Sequence, residues 1–345
     1  MPRDAFDIGG VQVAAGHRAK VTLPVSALPD QTPVGLHVEV IHGKRAGPTL
    51  FVSAAVHGDE VIGVEIVRRL LRAPQLASLR GTVLVVPVVN SFGFLARSRY
   101  LPDRRDLNRC FPGSAQGSLG SRLAHIFLND VVLRCDFGID LHSAAEHRTN
   151  LPQIRVTPRD STTAQMARAF GAPVILTSPL RDGSLRGEAA ARGTPVLLYE
   201  AGEGLRFDEL AVRVGLAGIL RVMRDQNMLP AKGIAKGHTP SLVCRASSWV
   251  RAPVGGLLRT FRAEGEIVEK GDVLAAVSDP SGDVETELLA PGPGILIGRA
   301  VLPVVNEGDA VFHLAELSPT ANEDTVDDLT AQLEADPLFD EDEII

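Results

Sequence analysis

The feature that most constrains this fold is a continuous apolar run that ends abruptly in polar residues. Thr49–Val56 is a run of this kind, typical of a strand buried on both faces. It leads directly into His57-Gly58-Asp59-Glu60, and apolar residues then recur at helical spacing over Val61–Leu71. A buried strand followed at once by an amphipathic helix predicts an α/β domain with a mostly parallel, mixed sheet flanked by helices.

The same alternation continues along residues 1–235, which we assign to one domain. Residues 1–45 predict short antiparallel strands around Val21–Leu23 and Leu36–Ile41. Further strands are predicted at Thr82–Val89, Phe137–Leu141, Val174–Thr177 and Pro195–Tyr199, and helices at Gly120–Leu133 and Glu209–Met228.

After Pro230 the pattern changes to short β-like segments separated by Gly, Pro and Asp, which predicts a small all-β domain over residues 236–318. Residues 319–345 are acidic with few core-forming residues, and we expect them to be a disordered tail. Eleven acidic residues and no Lys or Arg follow from Glu316 onward, so the net charge of −7 resides in the tail.

Composition narrows the class of protein. Hydrophobic residues make up 45% of the chain, which is ordinary for a globular protein. No apolar run reaches the ~20 residues of a membrane span, and the N-terminus lacks the apolar segment of a signal peptide. Three dispersed cysteines suit a reducing compartment, and no basic stripe suggests nucleic-acid binding. We therefore expect a cytoplasmic protein that binds neither membrane nor nucleic acid.

Residues able to bind a metal follow three predicted strands. His57 and Glu60 come after the first, His142 after another and Glu200 after a third, and such strand ends meet at one edge of an α/β sheet. Two histidines and one carboxylate form a common ligand set for catalytic zinc. The alternative is a polar loop in which Asp59 or Glu60 caps the following helix.

Two further carboxylates accompany this set. Asp140 lies two residues before His142, so it could orient that imidazole from behind the metal. Glu200 ends an apolar strand and could serve as a general base, with Glu203 as its rival.

A loop rich in arginine lies between these elements. Asn108 and Arg109 are adjacent and could bind a carboxylate, and Arg99 could stabilise an oxyanion. The alternative is an ordinary solvated basic loop. A second carboxylate of the substrate could be bound by any of three arginines, and the sequence favours none of them: Arg155, Arg181 and Arg186.

Together these motifs resemble the succinylglutamate desuccinylase/aspartoacylase family of zinc carboxypeptidase-like hydrolases. The resemblance rests on His57-Gly58-Asp59-Glu60, Asp106–Gly113, Asp140-Leu141-His142 and Glu200, in that order over about residues 45–205. It implies His57, Glu60 and His142 as ligands of one Zn²⁺, Glu200 as general base, and Arg99, Asn108 and Arg109 as substrate-binding or carbonyl-polarising residues. Arg97 is a neighbouring candidate for the role given to Arg99.

The C-terminal unit resembles the barrel-like β domain of some family members, which is itself similar to biotinyl/lipoyl-type modules. The hairpin segment Ser278–Asp283 has no carrier lysine, and Lys270 lies in a different turn. We expect a structural unit that covers the mouth of the active site or aids oligomerisation, and whose strands pair with the N-terminal segment.

The resemblance implies hydrolysis of an amide bond in a small carboxylate-bearing substrate by metal-activated water, most simply as an N-acyl amino acid deacylase. A carboxypeptidase or peptide amidase acting on a longer substrate is one alternative, and a non-catalytic metal-binding or scaffolding protein is another. Homo-oligomerisation and docking of the acidic tail to a partner stay open.

Overall fold

The structure is a computed structural model, and it describes residues 3–235 and 241–317. Within those ranges the strands are β1 (Phe6–Ile8), β2 (Val11–Val13), β3 (His17–Ala27), β4 (Pro33–His42), β5 (Arg45–Ala54), β6 (Arg80–Val86), β7 (Phe137–His142), β8 (Arg148–Val156), β9 (Val174–Thr177), β10 (Val196–Gly202), β11 (Leu242–Cys244), β12 (Ser247–Arg251), β13 (Gly256–Thr260), β14 (Ile267–Val268), β15 (Val273–Ser278), β16 (Glu285–Leu289), β17 (Gly294–Ala300), β18 (Val304–Val305) and β19 (Ala310–Ala315). The α-helices are α1 (Ile62–Arg72), α2 (Ser91–Ala96), α3 (Leu119–Asp130), α4 (Ser161–Phe170), α5 (Leu185–Ala191) and α6 (Glu209–Asp225).

One large mixed sheet organises the molecule, with strand order β12-β19-β17-β8-β10-β7-β5-β6-β4-β3. At its centre, β6, β5, β7 and β10 run parallel to one another, and β4 and β8 flank them as antiparallel neighbours. β9 and β11 extend the sheet beyond part of β8, and β14 pairs with β17. The expected α/β class with a mixed sheet flanked by helices is confirmed. Parallel pairing is concentrated at the centre of the sheet, and most of the outer strands pair antiparallel.

Two apolar layers cover the central strands. Helices α1, α4 and α6 pack on one face, where Ile66, Phe170 and Tyr199 are fully buried. The other face is covered by α3, α5 and the N-terminal strands, with Phe51 and Phe127 at its centre. Burial of both faces explains why the central strands read as continuous apolar runs, whereas the N-terminal strand β3 alternates exposed and buried residues.

Within residues 3–235 and 241–317, the C-terminal strands do not pair with the N-terminal segment, so that expectation is wrong. Instead β17 pairs antiparallel with β8 and β11 pairs parallel with β9, at the opposite end of the sheet from β3. The physical reason is a shared core, in which Ile295 and Ile297 of β17 pack with Leu151 and Leu176. A second, four-stranded sheet completes the C-terminal unit in the order β16-β15-β13-β18.

The expected boundary between residues 235 and 236 adjoins residues 236–240, and the expected acidic tail spans residues 319–345. Both segments lie outside the described residues. Among the helices that the structure does describe, none is long and apolar enough to cross a membrane.

Candidate active site

The turn between β5 and α1 presents His57 and Glu60 to one side. Its first residue, Ala55, has a left-handed φ of 51°, and the Glu60 N–H then donates to the His57 carbonyl at 3.2 Å. Gly58 lies against the start of α2, where an added Cβ would come within 1.9 Å of the Gly93 carbonyl carbon. Any larger residue at position 58 would therefore displace this turn.

His57, Glu60 and His142 form one buried cluster, as the sequence predicts for a metal site. The Nδ1 atoms of His57 and His142 each lie 2.7 Å from a different oxygen of the Glu60 carboxylate. One ligand atom from each of the three residues lies within 4.8 Å of the others. The structure thus brings together side chains that are 82 residues apart in the sequence.

A second carboxylate supports each imidazole from the opposite side. The Nε2 atom of His142 lies 2.8 Å from Asp140, and that of His57 lies 3.1 Å from Asp106. Ser53 donates a 2.6 Å hydrogen bond to Asp140 and fixes its orientation. Asp140 is placed where we expected it, whereas Asp106 was not anticipated, although it begins the Asp-Leu-Asn-Arg motif.

The electrostatics of the cluster favour a positive charge at its centre. Burial opposes ionisation of Glu60, but the adjacent imidazoles outweigh it and lower the pKa of this carboxyl. Burial likewise opposes a charge on His142, yet Asp140 and Glu60 raise its pKa well above the ordinary value. The same balance, through Glu60 and Asp106, raises the pKa of His57.

Arg99 lies at the edge of this cluster. Its guanidinium donates to Glu60 at 3.2 Å and to Asp106 at 3.1 Å, and it also lines the adjoining cavity. Arg97, the neighbouring candidate, instead ends α2 with a left-handed φ of 52° and is not among the cavity-lining residues.

Glu200 lies beside His142 because β10 and β7 are parallel neighbours and these two residues are register partners. Its Oε2 accepts from the Asn150 amide at 3.2 Å, and its Oε1 lies 3.5 Å from the Arg155 guanidinium. The rival Glu203 is turned away and pairs with Arg206 at 3.0 Å. Glu200 lines the cavity and Glu203 does not.

The Asn-Arg pair borders the same cavity. Asn108 Oδ1 accepts from the first amide of α5, that of Leu185, at 2.9 Å, which leaves its Nδ2 available. Arg109 donates to the Asn108 carbonyl at 2.5 Å and lines the cavity with it.

A cavity of about 200 Å³ joins these groups and carries an excess of positive charge. Six arginines line it against only two carboxylates, Glu60 and Glu200. The lining residues are His57, Glu60, Arg99, Asn108, Arg109, His142, Ser143, Ala144, Ala145, Arg148, Asn150, Arg155, Ser178, Arg181, Ser184, Arg186, Leu198, Glu200 and Trp249.

All three arginines left open by the sequence reach this cavity. Arg186 is 8% exposed, and its Nη2 donates to two backbone carbonyls while its buried Nη1 has no partner. Burial, together with the charge of Arg155, lowers the pKa of Arg186 to about 10. A desolvated guanidinium with an unused donor and cationic neighbours is suited to bind an anion.

Strand β8, which carries Arg148, Asn150 and Arg155 into the cavity, was not anticipated from the sequence. Pro152 lies within it, and a proline inside a run argues against a strand. Trp249 was also missed, since only the sheet pairing brings it to the cavity.

The donor set of the cluster fits a zinc ion. His57 and His142 would bind through Nδ1 and Glu60 through its carboxylate, while Asp106 and Asp140 hold the other imidazole nitrogens. Carboxylates that orient metal-binding histidines in this way are usual in zinc sites. Imidazole nitrogens and carboxylate oxygens are common ligands of zinc in proteins.

Comparison with known proteins shows the family of this chain. Residues 46–225, more than half of the chain, match the family described as Succinylglutamate desuccinylase/Aspartoacylase catalytic domain. The chain is 30% identical to the N-alpha-acetyl-L-2,4-diaminobutyric acid deacetylase of Halomonas elongata, over 90% of this chain and 93% of that protein.

Two solved structures share the fold over most of their length. The product-bound ectoine utilization protein EutE (DoeB) from Ruegeria pomeroyi is 25% identical with a TM-score of 0.77, covering 87% of this chain and 94% of that one. The succinylglutamate desuccinylase/aspartoacylase from Rhodobacter sphaeroides is 27% identical with a TM-score of 0.76, covering 87% and 96%. The chain therefore belongs to the succinylglutamate desuccinylase/aspartoacylase family.

Proposed function

We propose that this protein is a zinc-dependent hydrolase that removes the acyl group from a small N-acyl amino acid. The observation that carries the proposal is the juxtaposition of a buried His-Glu-His cluster, a carboxylate on the neighbouring strand and an arginine-rich cavity. The similarity to an N-acetyl amino acid deacetylase supports the same class of reaction.

His57, Glu60 and His142 would hold the metal. When bound, zinc acts as a Lewis acid that polarises a carbonyl and lowers the pKa of a bound water toward ~7. The carboxylates of Asp106 and Asp140 keep the two imidazoles oriented for this role.

Glu200 is the residue best placed to move protons. Its carboxylate lines the cavity beside His142, and Asn150 and Arg155 restrain its two oxygens. In this position it accepts the proton of the attacking water and delivers a proton to the amine that leaves. Arg99, which contacts Glu60, supplies positive charge for the oxygen of the cleaved carbonyl.

The charge of the cavity favours an anionic substrate. The two lining carboxylates pair with Arg99 and Arg155, so the four other arginines outnumber them and can contact carboxylate groups of the substrate. Asn108 and Arg109 would bind one carboxylate, with Arg181 and Arg186 available for another. A cavity of about 200 Å³ is below the ~300–1,000 Å³ of pockets for drug-sized ligands, which favours a small molecule over a peptide.

The test is hydrolysis of a panel of N-acyl amino acids by the purified enzyme, before chelation, after chelation and after zinc is restored. The panel includes N-acetyl-L-aspartate, N-acetyl-L-glutamate, N-succinyl-L-glutamate and N-acetyl-L-2,4-diaminobutyrate. We expect zinc-dependent release of the free amino acid from at least one. A zinc-loaded enzyme that cleaves none of them would favour the scaffolding alternative.

A further inference from the structure

Trp249 is the one tryptophan of the chain, and the C-terminal unit contributes it to the cavity through strand β12. Trp249 is 37% exposed, so part of its surface is open to solvent. Among the residues that line the cavity, it has the largest apolar side chain, and most of its neighbours there are polar or charged.

The indole is held in place from both β19 and β8. It stacks on His313, with ring centroids 4.4 Å apart and ring planes 10° from parallel. The Arg148 guanidinium lies 5.0 Å from its ring centroid, within range of a cation–π interaction. These two contacts hold the indole in one position where it lines the cavity.

The supporting imidazole keeps a constant charge. His313 is 7% exposed, and its Nε2 lies 2.9 Å from the Ser247 hydroxyl. Burial, followed by the positive charges of Arg155 and Arg148, lowers the pKa of His313 to about 3. The ring is therefore neutral throughout the range in which an enzyme of this kind would be assayed.

A row across the sheet connects Trp249 to the reacting centre. Asn150, Gly298, His313 and Trp249 are successive register partners on β8, β17, β19 and β12. With ~4.8 Å between neighbouring strands, the backbone at Trp249 lies about 14 Å from that at Asn150, the partner of Glu200. Trp249 thus lines the cavity from a strand three positions away from the one that carries Asn150.

We propose that Trp249 determines which length of substrate the enzyme accepts. Its indole forms the distal wall of the cavity, and this wall contacts the hydrocarbon part of the substrate at the end away from the amide that is cleaved. This inference rests on the proposed deacylase function. A large apolar side chain in an otherwise polar cavity favours a substrate whose distal methylene groups reach it, and it blocks groups that extend farther.

The first test uses the zinc-loaded enzyme and two series of substrates. One lengthens the acyl group from acetyl through propionyl and butyryl to hexanoyl, and the other lengthens the amino acid from N-acetyl-L-aspartate to N-acetyl-L-glutamate to N-acetyl-L-2-aminoadipate. Trp249→Ala should raise the long-to-short ratio of kcat/KM by roughly tenfold or more in one series, since a methylene discriminates by about that factor. Trp249→Phe should retain most of the native preference. An unchanged ratio in both series would overturn the proposal.

The second test needs no variant of Trp249. Because this is the only tryptophan, its fluorescence reports on the distal wall directly. We would titrate the Glu200→Gln protein with each N-acyl amino acid and measure occupancy by calorimetry. Emission should change in proportion to occupancy.

The two tests separate this inference from the proposed function. Ligand binding with an emission change but no hydrolysis by the native enzyme would support the role proposed for Trp249 and contradict the proposed deacylase function. Hydrolysis, together with constant emission at full occupancy and an unchanged length preference, would contradict the role proposed for Trp249. The proposed deacylase function would then still be supported.

Discussion

Glu200 and His142 are directly opposite each other on two parallel strands, so a single register sets the proposed general base beside a proposed metal ligand. Neighbouring strands of a sheet lie about 4.8 Å apart, so both side chains can reach one reactant in the cavity. This placement depends only on strand pairing, which makes it insensitive to loop movement.

Replacing Glu200 by Gln should abolish proton transfer by this side chain and retain its size and shape. We expect kcat to fall by about 10²–10⁴-fold, which is the usual contribution of general acid–base catalysis. Metal content should be unchanged, since Glu200 is not part of the metal-binding cluster. The matched control is Glu203→Gln, whose side chain faces away from the cavity. A Glu200→Gln enzyme with native kcat would remove this residue from the mechanism.

Asp140 should control metal affinity rather than chemistry. Its carboxylate holds the Nε2 atom of His142, so Asp140→Asn should weaken zinc binding by about 10–100-fold. Competition with a chelator of known affinity measures this change, and saturating zinc should restore most of kcat. Native zinc affinity in this variant would mean that the contact does not orient the ligand.

Arg186 should bind a carboxylate of the substrate. Its partner-free Nη1 is buried at the cavity, so Arg186→Met should raise KM by at least tenfold for dicarboxylic substrates, with a smaller change in kcat. Arg168→Met on the exposed side of α4 is the control. Equal KM values for the two variants would contradict an anion-binding role.

An ion-pair network between α1 and α6 predicts a pH-dependent stability. Hydrogen bonds from Arg69 lower the pKa of Glu209, despite an opposing effect of burial. A carboxyl whose folded pKa lies below its unfolded value of ~4.3 stabilises the fold above that pH and loses the effect as the pH falls through the folded pKa.

Arg69→Met should therefore lower the free energy of unfolding by about 1 kcal/mol at pH 7, and the difference from the native protein should shrink below pH ~4. Urea unfolding of the metal-free protein measures both values. Arg68→Met, which breaks a pair within α1 only, should cost less. A difference that grows as the pH falls would have the wrong sign for this account.

The sequence predicts the parallel centre of the sheet because those strands are buried on both faces and their side chains are continuously apolar. It also predicts His57, Glu60, His142 and Glu200, since polar residues that end such strands stand out. Asp106 could have been predicted as a site residue, because it lies two residues before Asn108 in the same motif. No local signal marks Asn150 or Trp249, because they reach the cavity only through the pairing of β8, β17, β19 and β12.

The central claim is that His57, Glu60 and His142 hold a zinc ion on which activity depends. The most direct measurement is metal content by mass spectrometry, together with amide hydrolysis, for the native protein, His142→Ala and the exposed control His17→Ala. We predict about one zinc per chain in the native and control proteins, and loss of both zinc and activity in His142→Ala. A folded His142→Ala protein that keeps its zinc and its activity would contradict the account.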